Sequence, residues 1–275
     1  MSFACHIEPF TDFSSSVERA LQAVADPAVI AQQKQILIKP NLVNSQPPPI
    51  TLPVDCVDAL IVSLRRITQA KIIIGEGCGD RNLETNEIFS RLGYRKLTEH
   101  ANVELLDLNH APLLKLKHPS CRIFPVMWLP EILFDAYLIS VPVLKAHSLA
   151  EVTISMKNLI GCAPPSHYQV GGSWKKSAFH ARMHQAIFEL NSYRKPDLCL
   201  VDASIGMAEY HLGGPTCDPP VGKLIAGRDP VAVDSAGALL LGRDWHTIDH
   251  ICLADGILGT AAAGEGAYAR DLSMG

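Results

Sequence analysis

An alternation of short apolar runs with amphipathic stretches restricts the fold of this chain more than any other feature. Gln35-Ile36-Leu37-Ile38-Lys39 reads as a strand, residues 54–68 as an amphipathic helix, and Lys71-Ile72-Ile73-Ile74 as a second strand. Residues 84–92 then read as a helix ended by Gly93, and Val103-Glu104-Leu105-Leu106 as a third strand. Parallel strands need a crossover between them, and an intervening helix supplies it. The β-α-β-α-β order therefore predicts an α/β fold: a doubly wound, mainly parallel sheet with helices on both faces and a small irregular insertion. The insertion is residues 112–130, where prolines separate short apolar pieces and the Lys115 to Lys117 alternation suits a hairpin or edge strand.

Before this unit, residues 14–25 carry helical spacing after a serine-rich start. Beyond the insertion come a strand at 136–141, a helix near 149–159, a loop rich in Gly, Pro and Ser at 161–173, and a helix at 177–193. Strands at 198–201 and 223–226 follow, then helices after Pro230 and around 246–253. The whole, residues 1–275, reads as one α/β domain, with 110–130 the place where two halves would join. Residues 264–275 show no strong pattern, and poor order is expected there.

With 275 residues, 48% hydrophobic and 19% charged, the chain has ample material for a core. A formal charge of −4, with no basic run interleaved with aromatics, argues against nucleic acid as a partner. Residues 1–8 lack a basic region followed by an apolar stretch, and no apolar segment approaches the roughly 20 residues that span a bilayer. A cytoplasmic protein without a membrane partner is expected. The eight cysteines are scattered without a C-x-x-C pair, a pattern that suits small core residues better than a zinc site or ferredoxin-type cluster.

Polar groups that appear where an apolar run stops are site candidates, because open α/β sheets collect ligands at strand carboxyl ends. The first strand releases Lys39, Asn41 and Asn44 around Pro40. The second releases Gly75-Glu76-Gly77-Cys78-Gly79-Asp80, where Gly75 and Gly77 allow close backbone approach and Glu76 or Asp80 could act as base, metal ligand or hydroxyl acceptor. A plain strand-to-helix turn explains that stretch equally well.

Leu138 to Val141 leads to Lys145 and His147, and the next helix carries Lys157 and Asn158 and stops at Gly161. Two ammonium groups and an imidazole near one strand end suit a carboxylate or phosphate, and like-charge repulsion would lower their pKa values. A lysine so tuned can act as a general base or form an imine. The simpler account has one of these cations merely pairing with Glu76 or Asp202.

Asp202 ends a further strand, with Glu209 seven residues on and Gly213-Gly214-Pro215 behind it. Asp229, directly before proline, reads as an N-cap, while Asp234 could be solvated or reach the site. His180 and His184, four apart on a helix, share a face; without an intervening glutamate they read less as a metal pair than as one histidine lining a cleft.

At these residues the chain resembles the domain of unknown function 362 family. The likeness rests on Lys39-Pro40-Asn41-Leu42-Val43, on Val141-Pro142 with Leu144-Lys145-Ala146-His147, and on Lys157-Asn158-Leu159-Ile160-Gly161. It continues through His184 ahead of Pro196-Asp197-Leu198, Asp202 through Gly213-Gly214-Pro215, and Asp229-Pro230-Val231-Ala232-Val233-Asp234, in order from about residue 36 to 258. The chain departs from the family at Ala146, commonly threonine, and at Tyr210, commonly glycine after the glutamate. Some relatives carry added ferredoxin-like cysteine modules, which implies redox or anaerobic metabolism for them; this sequence shows no such module.

Two functions are expected from this sequence, with a non-catalytic binding or scaffold protein as a third reading. The first is an enzyme whose cleft binds a small anionic molecule, carboxylate or phosphate: Lys145, His147, Lys157, Glu76 and Asp202 supply the chemistry, and Lys39, Asn41, Asn158, Gly75, Gly77 and His184 hold the ligand. The alternative is a metal or iron-sulfur protein in electron transfer or cofactor assembly, with a redox protein partner. Its ligands, to an iron-sulfur cluster or divalent metal, would come from Cys78, Cys162 and Cys217 or from His180 and His184. The pattern names no reaction and no oligomeric state.

Overall fold

The computed structural model describes residues 4–172 and 174–274; Met1, Ser2, Phe3, Ser173 and Gly275, which enter the N-terminal, loop and C-terminal readings above, lie outside them. Its strands are β1 (Cys5–Pro9), β2 (Gln35–Pro40), β3 (Lys71–Glu76), β4 (Val103–Asp107), β5 (Leu113–Lys117), β6 (Val126–Pro130), β7 (Tyr137–Val141), β8 (Val143–His147), β9 (Glu151–Thr153), β10 (Leu198–Met207) and β11 (Lys223–Gly227). The main sheet runs β1-β11-β10-β7-β2-β3-β4, with β8 pairing β10 and β9 beside this path. Every contact from β10 across β7, β2 and β3 to β4 is parallel, whereas the β11 and β1 edge and the β8–β9 pair run antiparallel. The insertion is the antiparallel β5–β6 hairpin.

The central strands are apolar throughout because both their faces are covered. Along β2, Ile36 and Ile38 enter one core while Leu37 enters the other, and β3 repeats this with Ile72, Ile74 and Ile73. The helices Phe13–Val24 and Val54–Arg65 cover one face; Met183–Tyr193, Pro230–Leu240 and Asp249–Ala254 cover the other. This is the doubly wound α/β arrangement.

The winding also fixes where a ligand would sit. From β2 the chain steps outward to β3 and β4, then returns to lay β7 on the opposite side of β2. The strand order reverses between β2 and β7, and the crevice beyond their carboxyl ends is the usual ligand position in open α/β sheets.

Several expectations need correction. The helix near 149–159 is instead the β8–β9 hairpin followed by a single turn, Ser155–Asn158, because Val152 and Thr153 pair back onto Ala146 and Lys145. Gly161 does not stop that helix; a tight turn continues through Leu159–Cys162. The helix at 177–193 is regular only over Met183–Tyr193. The C-terminal segment is ordered as the helix Ala261–Met274, and Ser235 Oγ donates to the Ala261 carbonyl at 2.8 Å. Its small residues, which hid the pattern, permit close packing: a Cβ at Gly264 would strike the Ala232 carbonyl oxygen.

Candidate functional site

Lys39 and Glu76 form a buried ion pair at 2.9 Å where β2 and β3 end. The Lys39 ammonium also donates to the Pro40 carbonyl at 2.7 Å and Asn158 Oδ1 at 3.1 Å. Glu76 in turn accepts from the Leu42 and Gly77 backbone N–H groups, both at 2.8 Å. With every oxygen engaged, Glu76 is a structural counter-ion; neither Lys145 nor Lys157 pairs with it. Asn158 completes the joint by donating to the Lys39 carbonyl at 3.0 Å and Ser140 Oγ at 3.1 Å, which locks the β2–β7 crevice.

Glycines make room for this joint. A Cβ at Gly161 would lie 2.7 Å from Lys39 Nζ and closer still to Glu76 Oε1, and a Cβ at Gly77 would meet the Gly161 carbonyl. Gly75 serves packing, facing Leu37 and Leu108. Gly161→Ala is expected to destabilise the protein by about 1–3 kcal/mol, as overpacking does. A drop in the urea midpoint at unchanged slope checks this; unchanged stability would mean the joint yields freely.

Over the joint lies a cleft of about 280 Å³ lined by Asn41, Lys145, His147, Thr153, Lys157, Lys176, His180 and His211, with Ile160, Trp174, Met183 and Tyr210 among the apolar and aromatic walls. A chamber of about 80 Å³ adjoins it and shares Asn41, Lys157 and Lys176. Three lysines and three histidines line the cleft, and no carboxylate does among the described residues.

The lysines differ in how they are held. Lys145, buried, donates to Asn41 Oδ1 at 2.7 Å and the Ile50 carbonyl at 2.6 Å, both neutral acceptors. Lys176, also buried, bonds Asn109 Oδ1 and the Ala163 carbonyl. Lys157 has no hydrogen-bond or ion-pair partner among the described residues. Burial first, and the neighbouring Lys157 charge second, bring Lys145 down to about 7. Burial and then Lys39 bring Lys157 to about 7, and burial brings Lys176 to about 8.

The histidines are kept neutral. His147 Nδ1 accepts from the Leu149 and Ala150 N–H groups at 3.0 and 3.2 Å, so its proton resides on Nε2. Its ring stacks on His211 at 3.9 Å between centroids. Burial, then Lys157, lowers both, His211 to about 3, and the same causes lower His180. His211 Nδ1 and Thr153 Oγ1 are buried without a hydrogen-bond partner among the described residues, and both side chains line the cleft.

Other expected residues lie elsewhere. Asp202 is buried outside the cleft lining, accepts from Ser204 N–H at 3.0 Å, and is pushed up by burial; its charge is felt by Cys56 and Tyr94. His184 packs against His250, Nδ1 to Nδ1 at 3.1 Å, rather than entering the cleft with His180. Asp229 caps the Pro230–Leu240 helix as expected. Asp234 reaches the site indirectly: it accepts from Ser155 and Met156 N–H at 2.8 and 3.1 Å and so holds the turn bearing Lys157 and Asn158. Burial raises its pKa to about 7 against these two bonds.

Cys78 and Cys162 belong to opposite cores, and burial pushes both thiols up, Cys162 to about 12. With Cys217 they form no ligand cluster among the described residues. The three-residue group there that could hold an ion is Glu84, Asp107 and His110, with ligand atoms within 4.8 Å of one another. Glu84 already pairs with Lys175 at 2.8 Å, and Asp107 accepts from Thr85 Oγ1 and Asn109 N–H. No described helix is long and apolar enough to cross a membrane.

The family described as Domain of unknown function (DUF362) matches residues 36–239, which include the Lys39–Glu76 joint and every cleft lysine. The chain belongs to the DUF362 family. Comparison with curated proteins gives no sequence match. Among solved structures this DUF362 chain is similar to the lactate racemase apoprotein from Thermoanaerobacterium thermosaccharolyticum, with 13% identity and a TM-score of 0.52 over 82% of this chain and 54% of that one. It is also similar to a protein from Thermotoga maritima, with 11% identity and a TM-score of 0.48 over 86% of this chain and 60% of the other. The chain thus spans little more than half the length of these relatives, and the likeness to the racemase is one of fold.

Proposed function

We propose that this protein is an enzyme that binds a small anion, carboxylate or phosphate, in the crevice between β2 and β7. The observation that carries the reading is Lys157, an ammonium facing a cleft that holds two further lysines and no carboxylate. A protein does not ordinarily leave a half-buried charge of this kind unpaired, and a ligand anion supplies the missing partner. The orphaned Thr153 hydroxyl and His211 Nδ1 add polar atoms that ligand oxygens could meet. The fold relative named a lactate racemase would act on a small carboxylate, the same ligand class.

Within the site Lys39, Glu76 and Asn158 set the spacing of β2 and β7, and Asn41 orients Lys145. Lys145, Lys157 and Lys176 supply the charge. His147 presents a donor at Nε2, and His180 and His211 are neutral imidazoles able to move a proton.

Binding should weaken with pH. An anion is held by the ammonium forms, and Lys145 and Lys157 lose their protons through about 7 in the free protein. Affinity for lactate or malate is therefore expected to fall above pH 7, by up to about tenfold per pH unit for each ammonium the ligand requires. Thermal-shift titrations with lactate, malate and phosphate at a series of pH values test the reading, since occupied sites stabilise by mass action. No stabilisation by any of these anions below pH 7 would count against it.

A further inference from the structure

Hydrogen bonding divides the three cleft lysines into two kinds. Lys145 and Lys176 each spend two N–H directions on fixed neutral oxygens and can turn only a remaining one to a ligand. Lys157 spends none, although the Ser155–Asn158 turn that carries it is fixed by Asp234 at one end and by Asn158 at the other. A free amine on a rigid support, beside other cations and with the Glu76 carboxylate of the adjoining chamber already paired to Lys39, is the arrangement that makes a lysine a nucleophile.

We propose that Lys157 attacks the carbonyl carbon of a small 2-oxo acid and holds it as an imine, while Lys176 receives its carboxylate. This rests on the anion-binding reading above and adds a covalent step to it. The neutral Lys157 amine forms a C–N bond as the carbonyl π pair moves to oxygen, and a proton passes from the nitrogen to that oxygen to give the carbinolamine. The C–O bond then breaks as the nitrogen lone pair forms C=N. The hydroxyl leaves as water with a proton from the Lys145 ammonium, so the products are a protonated imine, a neutral Lys145 and one water. Nothing is oxidised or reduced.

The groups lining the cleft suit these duties. Lys157 and Lys145 both titrate near 7, so one can be amine while the other is ammonium. His147, with its proton on Nε2, can donate to the carbonyl oxygen without becoming charged. The walls of Ile160, Trp174 and Met183 limit the water that would reverse the condensation.

The test treats wild-type protein with pyruvate, oxaloacetate or 2-oxoglutarate, adds borohydride, and maps the reduced adduct by peptide mass spectrometry, with thermal shift recorded on the same samples. The expected result is stoichiometric labelling of Lys157, with no comparable labelling of the exposed Lys71 and Lys96. Labelling should be greatest near pH 7, where Lys157 can be amine while Lys145 is still ammonium, and should fall on either side. In Lys157→Arg it should be lost. A 2-oxo acid that raises the melting temperature yet leaves no adduct on Lys157, or labels it no more than Lys71, overturns the covalent step while the anion site stands. Failure of every oxo acid, and of lactate, malate and phosphate, to shift the melting temperature overturns both.

Discussion

Glu76→Ala is expected to destabilise the protein by about 3–5 kcal/mol, because it removes one half of a buried ion pair and leaves the Lys39 ammonium without its counter-charge. The loss exceeds a simple deletion, since the Leu42 and Gly77 N–H groups lose their acceptor in the same step. Equilibrium urea unfolding reads it directly. A paired change, Lys39→Met with Glu76→Leu, should cost clearly less than Glu76→Ala alone, because no isolated charge remains. A single variant with near-native stability would show that Glu76 is free for chemistry, contrary to the structural role drawn from its contacts.

Lys157→Met should act in the opposite direction on stability while abolishing most anion binding. Removing a charge-assisted contact of about 1.5–3 kcal/mol weakens a ligand by about 10- to 100-fold. In the ligand-free protein the ammonium has no partner, so its removal should raise the melting temperature. The pH dependence gives a second signature. The folded pKa of Lys157, about 7, lies below its ordinary value of 10.5, so between them the unfolded chain binds more protons and stability rises with pH. Wild-type protein should gain stability from pH 7 towards 9, and the variant should gain less. Above pH 9 the ionisation of cysteines in the unfolded chain, set against buried thiols such as Cys5 and Cys162 held near 12, turns the trend downward.

Much of this was legible in the sequence for a definite reason. Ile36-Leu37-Ile38 and Ile72-Ile73-Ile74 are apolar on both faces, and only a central parallel strand accepts that, so β2 and β3 and the crossover between them followed. Lys39, Asn41, Lys145, His147, Lys157 and Asn158 were legible because strand ends in such a sheet converge, and the structure does bring them to one crevice. What sequence reasoning missed depends on contacts between distant segments. Lys176 and His211 come from irregular segments and reach the cleft only through tertiary folding; the one local signal was a Lys175-Lys176 pair in an otherwise weakly charged segment. The roles of Glu76 and Asp234 were also hidden. Both are carboxylates near expected helix starts or strand ends, and only the backbone N–H groups and the ammonium they meet show them to be supports. β1 and the helix Ala261–Met274 escaped for want of contrast, the latter because its glycines and alanines serve close packing.

Isothermal titration of wild-type and Lys157→Met protein with lactate, malate and phosphate, held below the Lys157 value of about 7, tests the central claim most directly. Saturable binding of at least one of these anions to the wild type is expected, weakened by about 10- to 100-fold in a folded variant of equal or greater stability. Equal affinity in the two proteins would contradict it, and so would the absence of binding to the wild type.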